Sequence, residues 1–307
     1  MRFLRTLAVL AIITTTFITI AAQVRVDVRL VNVIATVTDA RGRYIAGLGP
    51  EDFILEADGR AQKISHFTED RNVPVSVGIV LDTSGSMERK IRTAVDAVDR
   101  FIRQTDEADE IFLITFSSQP VLRQDFTADR EKLAQALRRI PATGGTALYD
   151  ALNQALDKIR SARHSKRAIL VITDGQDTSS AAKLEEVLQK IRMSELLVYP
   201  IGISPRTYAG GAQFRLASQR LSQRDEVDFN VLRAFAESSG GRAFLLAESF
   251  AGRGTQIDKV LATVADELRS QYTLGFYPDH AEAGRFHSIR IRTRTRGAVR
   301  ARRGYIF

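Results

Sequence analysis

The sequence predicts a doubly wound, mainly parallel α/β sheet, inserted in a small β domain that is built from N- and C-terminal strands. Three observations support this fold class. The middle of the chain holds nearly continuous apolar runs, which are typical of strands buried on both faces. Helical patterns of apolar residues lie between these runs, as crossover helices require. On either side of this region, apolar and polar residues alternate over short stretches, which is typical of half-buried strands.

These changes of pattern divide the chain into four segments. We expect a signal peptide at residues 1–22, the N-terminal part of the β domain at 23–73, the α/β domain at 74–271 and the C-terminal part of the β domain at 272–307. Each β segment is too small to support a core of its own without disulfide bonds, and the chain has no cysteine. We therefore expect the two segments to combine into one β domain.

The first residues predict export. Arg2 and Arg5 precede an apolar run from Leu7 to Ile20, and Ala21-Ala22 supplies small residues for cleavage. The run is short for a membrane span, so we expect membrane attachment only if this segment stays uncleaved. The pattern leaves open whether the destination is the periplasm, the cell surface or the medium.

The N-terminal flank contains two turn signals. Residues 39–42 predict a turn, and Asp58-Gly59 predicts a hairpin between strands at Phe53–Ala57 and Gln62–Phe67. The C-terminal flank predicts strands at Tyr272–Tyr277, Phe286–Thr295 and Val299–Ile306.

The central region alternates between strands and helices. Strands are predicted at Val75–Leu81, Ile111–Phe116, Ala168–Thr173 and Leu196–Ile203. Helical spacing is predicted in the patterns Met87/Ile91/Val95/Val98/Ile102 and Leu148/Leu152/Ala155/Ile159, and further helices at Phe229–Ser238 and Ile257–Ser270. Gly240-Gly241 marks the end of the third helix.

Oxygen-bearing side chains follow two of the predicted strands and precede one helix. Asp82, Ser84 and Ser86 come directly after the first core strand, Thr146 precedes a helix, and Asp174 ends a third strand. All are expected at the carboxyl edge of the parallel sheet, where such folds bind ligands. Hard oxygen donors with few carboxylates suit Mg²⁺, with Mn²⁺ or Ca²⁺ as substitutes. The sequence therefore predicts a divalent metal site with an open position for a carboxylate of another molecule.

At these residues the chain resembles the von Willebrand factor A domains, including the integrin inserted domains. Asp82, Ser84 and Ser86 match the Asp-x-Ser-x-Ser element of their metal-ion-dependent adhesion site, and Thr146 and Asp174 match its second and third elements. The resemblance covers roughly residues 74–250. It implies a Rossmann-like fold, with the first four residues around the ion and Asp174 close by, often through water.

The flanks resemble an exported bacterial group of von Willebrand factor A-related proteins, abundant in acidobacteria. The matching motifs include Glu51-Asp52-Phe53, Tyr272-Thr273-Leu274-Gly275 and Arg302-Arg303-Gly304-Tyr305. This resemblance implies an architecture, and it leaves the biochemical task open.

Other classes of function have weaker support. The chain lacks the glycine-rich phosphate loops of nucleotide-binding proteins. The net charge of +8 permits anionic partners, but the arginine stripe Arg290–Arg296 has no interleaved aromatics, so we expect a solvated strand face and no nucleic acid. The cap of a helix would explain Asp82 and the two serines alone, but it would not require Thr146 and Asp174.

We therefore expect an exported, non-catalytic adhesion or assembly module that binds a protein through its metal. One alternative is a structural envelope protein whose ion only stabilises the fold, and a less favoured one is a metal-assisted hydrolase. The long connection Ser204–Val227 leaves the same sheet edge and is arginine-rich. We expect it either to border the metal and attract an acidic ligand or to be a mobile surface insertion with no role.

Overall fold

The computed structural model describes residues 30–70, 73–174, 176–204, 228–247, 253–279, 282, 284–295 and 297–306. The predicted signal peptide and nearly all of the predicted insert Ser204–Val227 lie outside the described residues. In chain order the strands are β1 (Val31–Thr38), β2 (Phe53–Ala57), β3 (Arg60–Gln62), β4 (Ile64–Asp70), β5 (Val75–Asp82), β6 (Glu110–Phe116), β7 (Pro120–Thr127), β8 (Lys166–Thr173), β9 (Leu197–Ser204), β10 (Phe244–Ala247), β11 (Gln271–Phe276), β12 (Phe286–Thr293), β13 (Ala298–Ala301) and β14 (Gly304–Ile306).

The α-helices among the described residues all belong to the central region. They are α1 (Ile91–Gln104), α2 (Arg130–Ala136), α3 (Leu148–Lys158), α4 (Leu184–Met193), α5 (Phe229–Ser239) and α6 (Arg253–Leu268). Helix α5 ends at Gly240, whose φ of 85° is the left-handed conformation that a glycine adopts without strain. Across the described ranges, no helix combines the length and the apolar character that a bilayer crossing requires.

The central sheet has the strand order β10-β9-β8-β5-β6-β7. Neighbouring strands are parallel throughout, except that β7 runs antiparallel to β6. From β5 the chain builds outward through β6 and β7, and it then returns to place β8 on the other side of β5. This reversal is the topological switch point of a doubly wound sheet. The predicted fold class is confirmed.

Both faces of the central sheet are covered by helices. Helices α1, α2 and α6 pack on one face, where Phe101 and Leu261 are buried. Helices α3, α4 and α5 pack on the other face, where Leu152 and Phe235 are buried. All eight residues of β5 are buried, which explains why its sequence is an almost unbroken apolar run.

Two antiparallel sheets flank the central sheet, with the orders β13-β1-β11-β4 and β14-β12-β2-β3. Each contains strands from both ends of the chain, since β1 pairs with β11 and β13, and β2 pairs with β12. Their buried apolar side chains form one cluster, which includes Val33, Leu55, Leu274 and Ile289. Neither end of the chain therefore holds this core alone.

Most of the predicted turns and strands of the flanks are observed. Gly42 N donates to Asp39 O at 2.9 Å in the first turn. Asp58 and Gly59, with φ of 47° and 75°, form the two-residue loop between β2 and β3.

Two predicted strands are wrong in their extent. The run Gln62–Phe67 divides between β3 and β4, which belong to different sheets, and Val299–Ile306 divides at Arg302-Arg303 into β13 and β14. The second break follows from the Arg302 side chain, which turns inward and donates to Ser194 O at 3.1 Å and to Asn32 O at 2.6 Å. Alternation of residue types does not report such a long-range contact.

The predicted arginine stripe lies on β12, with Arg290 and Arg292 exposed to solvent, while Arg296 lies outside the described residues. Glu56 of the neighbouring strand forms an ion pair with Arg292. The stripe is thus a solvated face whose charge is partly balanced by an acid from the other end of the chain.

A buried acid joins the central sheet to the flanking sheets. Glu267 of α6 is fully buried, and its carboxylate accepts hydrogen bonds from Tyr199 Oη of β9 at 2.8 Å and from Tyr44 Oη at 3.1 Å. Arg300 of β13 completes the group with an ion pair. Because Tyr44 and Arg300 belong to the two flanks, this group links three separate parts of the sequence.

The shared core leads to a prediction about fragments. Residues 24–70 and 272–307, each expressed alone, should be unfolded, because each contributes only part of the apolar cluster. Residues 74–271 should fold alone. Circular dichroism with thermal melting tests this, and a cooperative transition in either flank alone would contradict a single β domain.

Candidate metal centre

The candidate site lies at the switch point of the central sheet. Asp82 is the last residue of β5, and Asp174 follows the last residue of β8, the strand that pairs with β5. Because the two strands are parallel neighbours, their carboxyl ends bring both acids to the same edge.

Asp82 is a fully buried carboxylate. Its Oδ1 accepts a hydrogen bond from the backbone N–H of Ser84 at 2.8 Å, and its Oδ2 accepts one from Thr173 Oγ1 at 2.6 Å. Burial raises the pKa of Asp82 to about 6, because the carboxylate loses its hydration; nearby Asp174 adds to the rise, and the hydrogen bonds from Ser84 and Thr173 oppose it.

The two predicted serines stand side by side at the site. Ser84 is buried and Ser86 is exposed, and their Oγ atoms are 3.0 Å apart. Residues Gly85–Met87 form a single 3₁₀ turn before α1 begins at Ile91, so the helix does not start directly after the motif. This turn carries the chain from the buried acid to the surface, and the site therefore opens to solvent on the side of Ser86.

Backbone hydrogen bonds attach the loop that carries Thr146 to the loop after β5. Gly85 N donates to Gly144 O at 3.0 Å, and Thr143 N donates to Thr83 O at 2.9 Å. Thr146 itself is buried. The second predicted segment thus lies against the first, as a shared site requires.

Asp174 is buried and forms an ion pair with Lys90, with 3.3 Å between Oδ2 and Nζ. The segment after it is held to the Thr146 loop, since Thr178 N donates to Thr146 O at 2.8 Å and Thr146 N donates to Thr178 Oγ1 at 2.9 Å. The structure therefore brings all three predicted segments together at one edge of the sheet.

Three contributors to the site were not predicted from the sequence: Thr173, Lys90 and Thr178. Thr173 and Thr178 gave no signal, because hydroxyl residues are common at strand ends and in loops. For Lys90 the sequence does contain a signal. Lys90, Ala94 and Ala97 have the spacing of residues on one helical face, and both alanines are buried, so this spacing indicates a lysine that faces inward.

The donor set fits a divalent ion. Its groups are oxygens only, which Mg²⁺ prefers, and they include a buried carboxylate whose raised pKa shows that its negative charge is poorly compensated by the protein. Of the five predicted ligands, Asp82, Ser84, Thr146 and Asp174 are buried and Ser86 is exposed. A cation at this edge would balance the charge of Asp82 and would still be reached from solvent.

Comparison with known families finds a match for the central part of the chain. Residues 77–176, which include all five predicted ligands, match the family model of the von Willebrand factor type A domain. Over these residues the central region is similar to a von Willebrand factor type A domain. The likeness of the flanks to the acidobacterial group of such proteins stays a prediction.

Curated relatives match parts of the chain. Inter-alpha-trypsin inhibitor heavy chain H4 of Sus scrofa is 28% identical over 131 residues, which cover 39% of this chain and 14% of that protein. An uncharacterized protein of Borreliella burgdorferi is 26% identical over 185 residues, covering 56% of this chain and 54% of that protein. The chain thus spans about half or less of the length of these relatives.

Solved structures show the same fold. A von Willebrand factor type A protein from Catenulispora acidiphila is 12% identical in sequence and superposes with a TM-score of 0.52. The match covers 91% of this chain and 74% of that protein's chain. An aerotolerance-related membrane protein from Bacteroides fragilis is 19% identical and superposes with a TM-score of 0.50. The match covers 63% of this chain and 98% of that protein's chain. The first likeness extends well beyond the residues that the family model matches.

The raised pKa of Asp82 leads to a prediction about metal binding. A proton and a cation compete for this carboxylate, so acidification below its pKa of about 6 should weaken binding. Between about pH 7.5 and about pH 5, we expect Mg²⁺ affinity measured by calorimetry to fall about tenfold. Asp99→Asn, a change at an acid of α1 that pairs with Arg103, should keep this dependence. Equal affinity at the two pH values would be inconsistent with an Asp82 ligand.

Proposed function

We propose that this protein is an exported, metal-dependent binding module that uses a divalent ion to bind an acidic group of a protein partner. The observation that carries the proposal is the buried, poorly compensated carboxylate of Asp82, set among hydroxyl oxygens at a sheet edge that opens to solvent. The von Willebrand factor A fold of the central domain agrees with a role in protein–protein interaction.

In this proposal Asp82, Ser84, Ser86 and Thr146 hold Mg²⁺, or Mn²⁺ or Ca²⁺ in its place, and Asp174 lies close by. The bound ion supplies a positive centre to which an oxygen of another molecule coordinates. The protein contributes a rigid frame. Hydrogen bonds from Thr173 and from the backbone of Ser84 fix the Asp82 carboxylate before any ion or ligand arrives.

The partner's group is inferred from charge. One carboxylate neutralises only half of a divalent ion, and the hydroxyl ligands are neutral, so an additional oxygen anion would complete the balance. A glutamate or aspartate side chain on the surface of a protein has this chemistry. Export, inferred from the first 22 residues, would place the site where such surfaces are met.

The positions of the histidines favour binding over hydrolysis. His164 lies just before β8, at the opposite end of that strand from Asp174, and its Nε2 is 3.0 Å from Ala108 O. His66 and His287 belong to the flanking strands β4 and β12. None of these three described histidines is on the loops that carry the site, where a general base would be needed.

The proposal predicts the behaviour of Asp82→Ala. This variant should lose detectable Mg²⁺ binding in calorimetry, because it removes the main anionic ligand. Its melting temperature should change by only about 2–4 °C, because the lost hydrogen bonds are offset by relief from burying a charge. Asp99→Ala, a partly exposed acid in α1, is the matched control and should bind Mg²⁺ like the wild type.

The same pair of variants separates the two leading functions. A pull-down from the cell envelope of the producing organism, in Mg²⁺ and again in EDTA, should retain a partner only with Mg²⁺ and intact Asp82. If Asp82→Ala binds no ion but retains the partner, the ion serves stability alone and the adhesion proposal is wrong. If Asp82→Ala binds Mg²⁺ as tightly as the wild type, the site itself is misassigned.

A further inference from the structure

The Lys90–Asp174 ion pair is the feature of the site that the proposed function does not use. Both side chains are almost completely removed from solvent, with 7% and 9% of their surfaces exposed, and Nζ lies 3.3 Å from Oδ2. Within the described part of the chain, Asp174 supplies the one hydrogen bond that the ammonium makes. A cation thus stands beside the second carboxylate of a candidate cation site.

The position of Lys90 is fixed by the fold. It is the residue before α1, its backbone N–H donates to Met87 O at 2.8 Å, and its carbonyl accepts from Ala94 N at 3.0 Å. The helical turn therefore points this residue inward, on the same face as the buried Ala94 and Ala97. A flexible surface lysine could leave its partner, whereas this one is confined.

The location is unfavourable for a lysine in the absence of an anion. Burial deprives the ammonium of water, and the amino end of a helix carries partial positive charge that repels a cation. Asp174 offsets both effects. The attraction works in both directions, so the carboxylate of Asp174 is held toward Lys90.

We propose that Lys90 is a positioning residue of the metal centre, which holds Asp174 in an ion pair and so leaves Asp82 as the carboxylate that binds the ion directly. This inference rests on the proposed function and adds to it a residue that determines which carboxylate binds the metal.

Asp82, Asp174 and Lys90 together carry a charge of −1, so the net charge of the centre with a divalent ion bound is about +1. Without Lys90 the same centre would be neutral. Lys90 therefore makes the loaded centre attractive to an anion from outside.

The test uses full-length protein with Lys90→Met, which keeps the length of the side chain and removes its charge. With MgCl₂ as the only ligand, calorimetry should show Mg²⁺ binding at least about tenfold tighter than in the wild type, because a repelling charge is gone and Asp174 is released. Arg89→Met is the matched control. It removes one positive charge from the adjacent, exposed position, and it should change the affinity by less than about twofold.

A second measurement concerns the external anion, with acetate as the probe. In the wild type, acetate should strengthen Mg²⁺ binding, because it neutralises the remaining charge of the centre. In Lys90→Met this enhancement should be reduced at least about threefold, and Lys90→Arg should restore it, since the charge is retained. A lysine with a merely structural role would lower the melting temperature of Lys90→Met without changing the effect of acetate.

The outcomes distinguish the two proposals. If the wild type binds no Mg²⁺, the proposed function fails and this inference fails with it. If the wild type binds Mg²⁺ but Lys90→Met binds it equally or more weakly, only the role of Lys90 is overturned. Should Lys90→Met not fold, Lys90→Gln keeps a hydrogen-bond donor for Asp174, and the same tighter binding is expected of it.

Discussion

The candidate site depends on one constraint, the burial of an acid at the end of a core strand. Asp82 has no exposed surface, and it ends a strand in which every residue is buried. Water cannot stabilise its charge there, and two hydrogen bonds do so only in part, as the pKa of about 6 indicates. A group in this state is costly for the fold unless something compensates it. A cation is the simplest compensation, and the surrounding hydroxyl oxygens are suited to hold one.

The remaining parts of the central domain keep this acid in its place. The switch point of the sheet sets β5 beside β8, so that Asp174 and Thr173 reach the same edge as Asp82. Backbone hydrogen bonds then attach the two other loops, through Gly144 and Thr178. The site is therefore assembled from three segments that are distant in sequence, by contacts that do not require the ion.

The flanking sheets are fixed to this domain by buried polar groups. Glu267 accepts hydrogen bonds from two tyrosine hydroxyls and forms an ion pair with an arginine. The guanidinium of Arg302 donates hydrogen bonds to carbonyls near the end of α4 and the start of β1. Burying such groups is unfavourable unless their partners are arranged correctly, so they specify one relative placement. The sheet edge that carries Asp82 thus has a defined orientation relative to the flanking sheets.

Much of this could be predicted from the sequence, and the exceptions have physical causes. The strands β5, β6, β8 and β9 were predicted within one or two residues, because burial on both faces leaves a continuous apolar run. The edge strand β7 was missed, since half of it is exposed and its residues are mixed. Helix α2, with only seven residues, has too little periodicity to be recognised. The convergence of the candidate ligands was predicted because strand ends meet at one edge of the sheet. The ion pair of Lys90 with Asp174 was not, because it joins residues 84 apart and is set by tertiary packing.

The central claim is that a divalent ion binds at Asp82. The most direct test is a crystal of the full chain soaked in MnCl₂, because Mn²⁺ accepts the same oxygen ligands as Mg²⁺ and is located by its anomalous scattering. The account predicts an anomalous peak within about 2.0–2.3 Å of oxygens of Asp82, Ser84 and Ser86, with Thr146 in the same shell. A fully soaked crystal with no peak at this edge, or with its ion bound elsewhere, would contradict it.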